Sequence, residues 1–174
     1  MIPTTVIFSL HRFRYHARKM PEIDEHFMRL ALIEAASARE LGEVPIGAII
    51  VDPTGEILAS SSNRTIIDSD PTAHAEILAV RIAAENIGNY RLTGCTLYTT
   101  IEPCVMCAGA LVNARISRLV FGAHDERFGA VETKFRLCDS DDLNHRMEIV
   151  SGVLADECRG LMQDFFRERR GLVT

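Results

Sequence analysis

Apolar residues near the start of the chain follow a helical period. Between residues 22 and 41 they recur at steps of three and four, and charged residues occupy the opposite side. Gly42 comes directly after this pattern, as is common at the end of a helix. The sequence therefore predicts an amphipathic helix that buries one face. Its apolar positions are Ile23, Phe27, Leu30, Ala31, Ala35, Ala38 and Leu41.

A β-hairpin is predicted to follow this helix. Residues 45–51 form a continuous run rich in β-branched side chains, and turn-forming residues at 52–55 stop it. Residues 56–60 resume an extended pattern, and the polar residues 60–70 then predict a loop.

Helices and strands alternate in the rest of the chain. The predicted elements are helices at residues 74–86, 104–114 and 155–170 and strands at residues 95–101, 119–121 and 147–150. Residues 123–145 have weak periodicity, and a partly irregular connection of this length is often functional. Helices alternating with short apolar strands predict an α/β fold, a three-layer α/β/α sandwich. The initial hairpin makes its five-stranded sheet mixed.

The composition agrees with one soluble domain. The 174 residues, 47% hydrophobic and 25% charged, are enough for a core without disulfide bonds. The longest segment without a charged residue, 103–114, is too short to span a bilayer, so no membrane partner is predicted. Five cysteines are an odd number, and two lie three residues apart, which favours reduced thiols or a metal over disulfides. The predicted location is therefore cytoplasmic.

Residues 1–20 differ in charge from the rest of the chain. They hold four basic residues and no acidic one, whereas the whole chain has a formal net charge of −5. The basic residues follow a short apolar run, which is the reverse of the order in a secretory signal. We therefore predict a loosely ordered N-terminal extension at residues 1–20 and one domain at residues 21–174. The acidic balance argues against binding nucleic acid through a general basic coat, although a local basic patch stays open.

Residues suited to metal binding and proton transfer concentrate in two motifs, a His-x-Glu triplet at 74–76 and Pro-Cys-x-x-Cys at 103–107. The triplet is expected by chance about 0.5 times in a chain of this composition. A second copy indeed occurs at 124–126. Pro-Cys-x-x-Cys is expected only about 0.005 times, so it carries most of the weight.

Both cysteines of this motif are predicted to lie at a helix N-terminus. Pro103 suits the position just ahead of a helix, and Cys104 and Cys107 then project from one side of the first turn. The helix dipole and unpaired amides favour thiolates there, which is the form that Zn²⁺ binds. His74, opening another helix, would supply a third ligand. Three ligands leave a position for water, as in a catalytic zinc site, and Glu76 would shuttle protons.

Two other uses of the cysteine pair stay open at this point. Cys-x-x-Cys also occurs as a redox pair and as half of a structural four-cysteine zinc site. No second Cys-x-x-Cys completes four thiols, and a redox pair leaves His74 and Glu76 unexplained. The other three cysteines, Cys95, Cys138 and Cys158, are interpreted as small apolar core residues.

Over residues 22–170 the chain resembles the bacterial tRNA-specific adenosine deaminase family, within the cytidine deaminase-like zinc superfamily. His-x-Glu with Pro-Cys-x-x-Cys is the signature of zinc deaminases. The blocks that resemble the narrower family are 43–48, 70–76, 89–92, 102–110, 144–146 and 155–158. The resemblance implies a cytidine deaminase-like fold and one Zn²⁺ per subunit, held by His74, Cys104 and Cys107. It also implies hydrolysis at C6 of adenosine to give inosine, with Glu76 passing the proton to the base and then to ammonia.

The resemblance further implies a substrate pocket. Asn63 falls at the position of an asparagine that contacts the base, although a turn residue would also fit there. The backbone amide of Ala75 and the side chain of Ile46 would line the same pocket.

RNA contacts are implied at Asp125, Phe166 and Arg170. Aromatic and arginine side chains suit a flipped anticodon base and phosphates. Phe165 and Phe166 are adjacent and cannot both point inward, so one of them is expected to be partly exposed or at an interface. The competing interpretation is that the phenylalanines belong to the core and the arginines form a solvated face. The implied partners are a tRNA, with the wobble adenosine of an arginine tRNA expected, and a second copy of the chain in a homodimer.

The chain departs from the family pattern at Arg127-Phe128 and at the apolar pair Ile66-Ile67, both of which concern RNA contacts. A deaminase of a free base such as guanine or cytosine stays an alternative, because the zinc centre does not distinguish substrates. A non-catalytic, zinc-stabilised RNA-binding subunit is a second alternative, and the presence of Glu76 argues against it.

Overall fold

A computed structural model describes residues 20–171 of the chain. The elements are α1 (Met20–Glu40), β1 (Gly47–Val51), β2 (Ile57–Ser62), α2 (Ala75–Ile87), β3 (Thr96–Ile101), α3 (Val105–Ala114), β4 (Arg118–Ala123), β5 (Glu148–Ser151) and α4 (Ala155–Arg169). Each predicted helix and strand is present, and the observed ends differ from the predicted ones by two residues at most. The extension predicted at residues 1–20 lies, apart from Met20, outside the described residues and stays a prediction.

The five strands form one mixed sheet in the order β2-β1-β3-β4-β5. The hairpin makes β1 antiparallel to β2, and β1 is also antiparallel to β3. β3, β4 and β5 run parallel, and α3 provides the crossover from β3 to β4. The start of β1 and the ends of β2, β3 and β4 therefore meet at one edge of the sheet.

Alternate residues of the central strands bury against two different helix layers. Ala48, Leu97 and Leu119 pack in a core with α2 and α3. Ile49, Tyr98 and Val120 point to the opposite face and pack with α1 and α4. This arrangement confirms the predicted α/β/α sandwich.

None of the helices within residues 20–171 has both the length and the apolar composition needed to cross a membrane. The three cysteines interpreted as core residues are all buried, which agrees with the sequence interpretation. Burial raises the pKa of Cys138 and Cys158 to about 12, so both thiols remain protonated at neutral pH.

The backbone of α1 lies very close to the first residue of β1. A Cβ atom at Gly47 would lie 2.0 Å from the Ala31 carbonyl oxygen and 2.6 Å from the Ala35 nitrogen. The Gly47 amide also donates a buried hydrogen bond of 3.3 Å to Thr100 Oγ1. The lack of a side chain at Gly47 therefore lets α1 pack directly against the start of β1.

We therefore expect Gly47→Ala to lower the free energy of unfolding by at least about 2 kcal/mol, because a methyl group would push two backbone segments apart. Gly160→Ala is the matched control, since a Cβ at Gly160 in α4 would have no neighbour within 4 Å. That control should raise the free energy of unfolding by about 0.5–1 kcal/mol through helix propensity. Urea unfolding followed by circular dichroism measures both, and equal values for the two variants would contradict the close packing.

Candidate active site

Two helix N-termini converge beside the sheet edge, and each begins at a residue of the sequence motifs. His74 is the N-cap of α2, and Cys104 is the N-cap of α3. The His74 carbonyl accepts the Leu78 amide at 3.0 Å, and the Cys104 carbonyl accepts the Ala108 amide at 2.8 Å. These are the first hydrogen bonds of each helix, so both side chains stand at the positive end of a helix dipole.

The structure brings His74, Cys104 and Cys107 together. His74 Nδ1 lies 3.5 Å from Cys107 Sγ and 3.7 Å from Cys104 Sγ. The three ligand atoms all lie within 4.8 Å of one another, so this group could hold a metal ion. Cys107 is buried, while His74 and Cys104 are half-buried.

Local hydrogen bonds favour the thiolate form of Cys104. Hydrogen bonds from the Cys107 thiol and from His74 lower the pKa of Cys104 to about 4, against the effect of burial. The same contact with Cys104 raises the pKa of His74, since an imidazolium beside a thiolate is stabilised. Metal binding at these atoms would release protons, because a metal ion binds thiolates and the neutral imidazole.

Glu76, in the first turn of α2, is a buried carboxyl group with an unused oxygen. Its exposed fraction is 3%, and burial raises its pKa to about 7. Within residues 20–171 its Oε2 atom is buried without a hydrogen-bond partner. Such an atom is costly to keep, and a carboxyl group with a pKa near neutrality can both accept and donate a proton. Glu76 is therefore a candidate proton-transfer group next to the possible metal ligand His74.

Asn63 and Ile46 lie at the same sheet edge as the cluster. Asn63 follows β2 and is 2% exposed, and its backbone N–H donates to the Ile46 carbonyl at 3.0 Å. The next residue, Arg64, donates to the carbonyl of Ala73, which directly precedes His74. Ala75, the first residue of α2, is fully buried. All three predicted pocket residues therefore occupy the surroundings of the helix α2 N-terminus.

Asp125 lies in a turn beside the cysteine motif. Its Oδ1 atom accepts the amides of Arg127 at 2.8 Å and Phe128 at 3.2 Å. Gly129, at the end of this turn, forms an isolated β-bridge with Cys104. Phe128 is 65% exposed, so this departure from the family pattern places an apolar ring on the surface next to the site.

Phe166 and Arg170 lie at the end of α4, in the helix layer opposite to α2 and α3. Phe165 is 6% and Phe166 is 41% exposed, so one ring of the pair is in the core and the other at the surface. Arg169 donates to the carbonyl of Gly42, which places the end of α4 beside the segment entering β1. The structure thus does not bring Phe166 and Arg170 into the metal cluster itself.

Two buried glutamates, Glu43 and Glu102, hold the loops beside the cluster, and no role for either was predicted from the sequence. Glu43 is 0% and Glu102 is 2% exposed. Each accepts backbone amides from a loop: Ile66 and Ile67 for Glu43, and Asp125, Val131, Glu132 and Thr133 for Glu102. Glutamate is usually exposed. Both residues begin blocks that resemble the family, 43–48 and 102–110, but the sequence does not show which loop each would hold.

The Glu102 carboxylate is stabilised in its ionised form. Burial opposes ionisation, but the hydrogen bonds from the backbone amides of Glu132, Thr133 and Asp125 and from the Thr133 hydroxyl outweigh it and lower the pKa. The loop also fits closely, because a Cβ atom at Gly129 would lie 2.3 Å from Glu102 Oε2. Glu102 directly precedes Pro103, so its hydrogen bonds hold the segment 125–133 beside the start of the cysteine motif.

We expect Glu102→Gln to loosen this segment, because an amide group retains only one accepting atom. The amides that lose their acceptor are either that of Asp125, bound to Oε2, or those of residues 131–133, bound to Oε1. Hydrogen exchange at these amides should become about tenfold faster, as expected for the loss of one charge-assisted hydrogen bond. Glu126→Gln removes an exposed charge from the segment 125–133 and leaves the Glu102 acceptors in place. Exchange rates that change equally in both variants would contradict the anchoring role.

Comparisons with known proteins agree with this arrangement. The family model of MafB19-like deaminases matches residues 22–170. A tRNA-specific adenosine deaminase of Haemophilus influenzae is 51% identical over 154 residues, which are 88% of this chain and 89% of that protein.

Two solved structures are also similar. One, from a study of A-to-I editing by tRNA:A34 deaminases at the wobble position of transfer RNA, is 48% identical with a TM-score of 0.75, over 78% of this chain and 98% of that one. The other, a guanine deaminase of Bacillus subtilis, is 40% identical with a TM-score of 0.55, over 57% of this chain and 64% of that one.

Proposed function

The chain belongs to the MafB19-like deaminases and to the tRNA-specific adenosine deaminase family, and on this premise we propose that it converts adenosine to inosine in tRNA by zinc-dependent hydrolysis. The observation that carries the proposal is the buried, unpartnered Oε2 atom of Glu76 beside the cluster of His74, Cys104 and Cys107. A proton-transfer group and a metal-ligand set in direct contact are what a hydrolytic deamination requires.

The donor set suits Zn²⁺. One imidazole and two thiols are common zinc ligands, and three protein ligands leave a position for water or substrate. A bound Zn²⁺ acts as a Lewis acid and lowers the pKa of water towards neutrality. One ion per chain, held by His74, Cys104 and Cys107 within a domain of residues 21–174, is the proposed stoichiometry.

Glu76 is the proposed proton carrier of the reaction. Water adds at C6 of adenine, and Glu76 takes a proton from that water and delivers it to the ring nitrogen N1. The C6–N6 bond then breaks, Glu76 delivers the second water proton to the leaving amino group, and ammonia and inosine result. Its pKa of about 7 suits both steps, because the group can exist in either protonation state near neutrality.

The residues around the cluster supply the proposed substrate contacts. Asn63, Ile46 and the Ala75 amide would contact the flipped base, while Asp125, Phe166 and Arg170 would contact the RNA. A net charge of −5 agrees with local contacts instead of a general basic surface.

The 48% identity to a structure from the study of wobble-position deaminases supports the wobble adenosine as the target. An arginine tRNA, a homodimer and a cytoplasmic location complete the proposal.

A deaminase of a free base, such as guanine or cytosine, is the second candidate. The 40% identity to a guanine deaminase favours it, although that likeness covers 57% of this chain. A non-catalytic RNA-binding subunit is less consistent with a buried Glu76 whose Oε2 atom lacks a partner.

We expect the zinc-loaded protein to release ammonia from an anticodon stem-loop with adenosine at the wobble position, and to leave free adenosine, guanine and cytosine unchanged. Base flipping into a site assembled with loop residues requires RNA contacts that a free base lacks. Ammonia release and inosine formation measure the result. Turnover of guanine or cytosine alone would show that the substrate is a free base and not tRNA, and the proposed zinc chemistry would still apply.

Glu76→Gln should lower kcat by about 10²- to 10⁴-fold, because an amide cannot carry the proton. Zinc content and stem-loop affinity should stay unchanged, since the ligands and loops are not altered. Glu85→Gln, at an exposed position of the same helix, is the matched control and should keep full activity. Retained turnover in Glu76→Gln would refute the proton-carrier role.

A further inference from the structure

We propose that Glu43 is a positioning residue for the deamination. Its carboxylate holds the side-chain amide of Asn63 in one orientation and fixes the backbone of residues 65–67 around it. The catalytic part of this inference rests on the proposed function, because it takes Asn63 as a residue that contacts the substrate. The geometric part concerns the protein alone.

Three buried or half-buried polar side chains form a closed hydrogen-bonded group. Asn63 Nδ2 donates to Glu43 Oε2 at 3.2 Å, and Thr65 Oγ1 donates to the same oxygen at 3.2 Å. Asn63 Nδ2 also lies 3.3 Å from Thr65 Oγ1. With Glu43 at 0% and Asn63 at 2% exposure, water cannot easily replace these partners.

A carboxylate sets the orientation of the neighbouring amide because it only accepts hydrogen bonds. The nitrogen of Asn63 must face Glu43, and Oδ1 must face away from it. Rotation of the amide by 180° would place two acceptors against each other in a buried site. A glutamine at position 43 would remove this restriction, because its own amide can present either a donor or an acceptor.

The second oxygen of Glu43 fixes the loop through its backbone. Oε1 accepts the Ile66 amide at 2.7 Å and the Ile67 amide at 2.8 Å. The Thr65 carbonyl accepts the amide of Asp70, so the anchored segment is held to the turn that leads to His74. Glu43 thus connects Asn63 to the N-terminus of α2.

Glu43 and Glu102 differ in what they hold. Glu102 accepts four backbone amides and the Thr133 hydroxyl, which makes it an anchor of a loop. In Glu43, Oε1 accepts backbone amides, whereas Oε2 accepts hydrogen bonds from the side chains of Asn63 and Thr65. The difference makes Glu102 a matched control for Glu43, because both are buried loop anchors and only one touches Asn63.

A double-mutant cycle on the zinc-loaded protein tests the proposal. Glu43→Gln should lower kcat/KM for the stem-loop by about tenfold or more in the wild-type background, as expected when a substrate-contacting group is misplaced. In the Asn63→Ala background the same change should alter kcat/KM by less than about twofold, since the residue through which Glu43 acts is gone. Glu102→Gln should instead lower kcat/KM by the same factor in both backgrounds.

Equal effects of Glu43→Gln in the two backgrounds would overturn the proposal, because a residue that only supports folding weakens the enzyme whether or not Asn63 is present. Zinc content and the thermal unfolding midpoint are measured for each variant. Unchanged kcat/KM in Glu43→Gln would overturn it as well.

A measurement without substrate separates this proposal from the proposed function. In the wild-type protein, nuclear magnetic resonance should show the Asn63 side-chain amide, identified by its loss in Asn63→Ala, as two separate proton signals that exchange slowly with water. Fast exchange would overturn the proposal even if Glu43→Gln failed to fold. An enzyme inactive on every substrate but with slow exchange at Asn63 would refute the proposed function and leave the geometry of Glu43 standing.

Discussion

Buried carboxylates that accept backbone amides are the interaction on which the site depends. Loops usually run over the protein surface, because backbone amides without helix or strand partners need water. Here residues 65–67 and 125–133 lie beside a partly buried cluster, and Glu43 and Glu102 replace the water as acceptors. Buried carboxyl groups are costly to leave without partners, so each glutamate needs several hydrogen bonds for the arrangement to be stable. Burial next to the cluster also raises the pKa of Glu76 to about 7.

Regular structure and loops place different parts of the site. His74 and Cys104 stand at the N-cap positions of α2 and α3, so the starts of two helices place the ligand set. Gly47 allows α1 to pack against the start of β1, which keeps the neighbouring strand ends aligned. Asn63 and Asp125 are placed by the two anchored loops. The proposed chemistry therefore rests on helices, and the proposed recognition rests on loops held by side chains.

Much of the fold could be predicted because its signals are local. The helical period of α1, the turn residues of the hairpin and the apolar strands each identify one element within a short window. The cluster was predictable for the same reason, since Pro103 and Cys104 indicate a helix start with its ligands attached. The roles of Glu43 and Glu102 were not predictable, because they depend on partners 20 to 31 residues away that only the folded chain brings near. Asp125 shows the same limit, since its side chain closes a turn that periodicity does not reveal.

Anchoring through the backbone has a consequence for side chains in the two loops. The amides of Ile66 and Ile67 are bound to Glu43, while their side chains are 62% and 44% exposed. Phe128 likewise donates its amide to Asp125 and exposes its ring. Substitutions at these positions change the surface that a substrate meets and leave the hydrogen bonds that shape the loops intact. This separation explains in physical terms how the departures at Ile66-Ile67 and Arg127-Phe128 are compatible with an intact cluster.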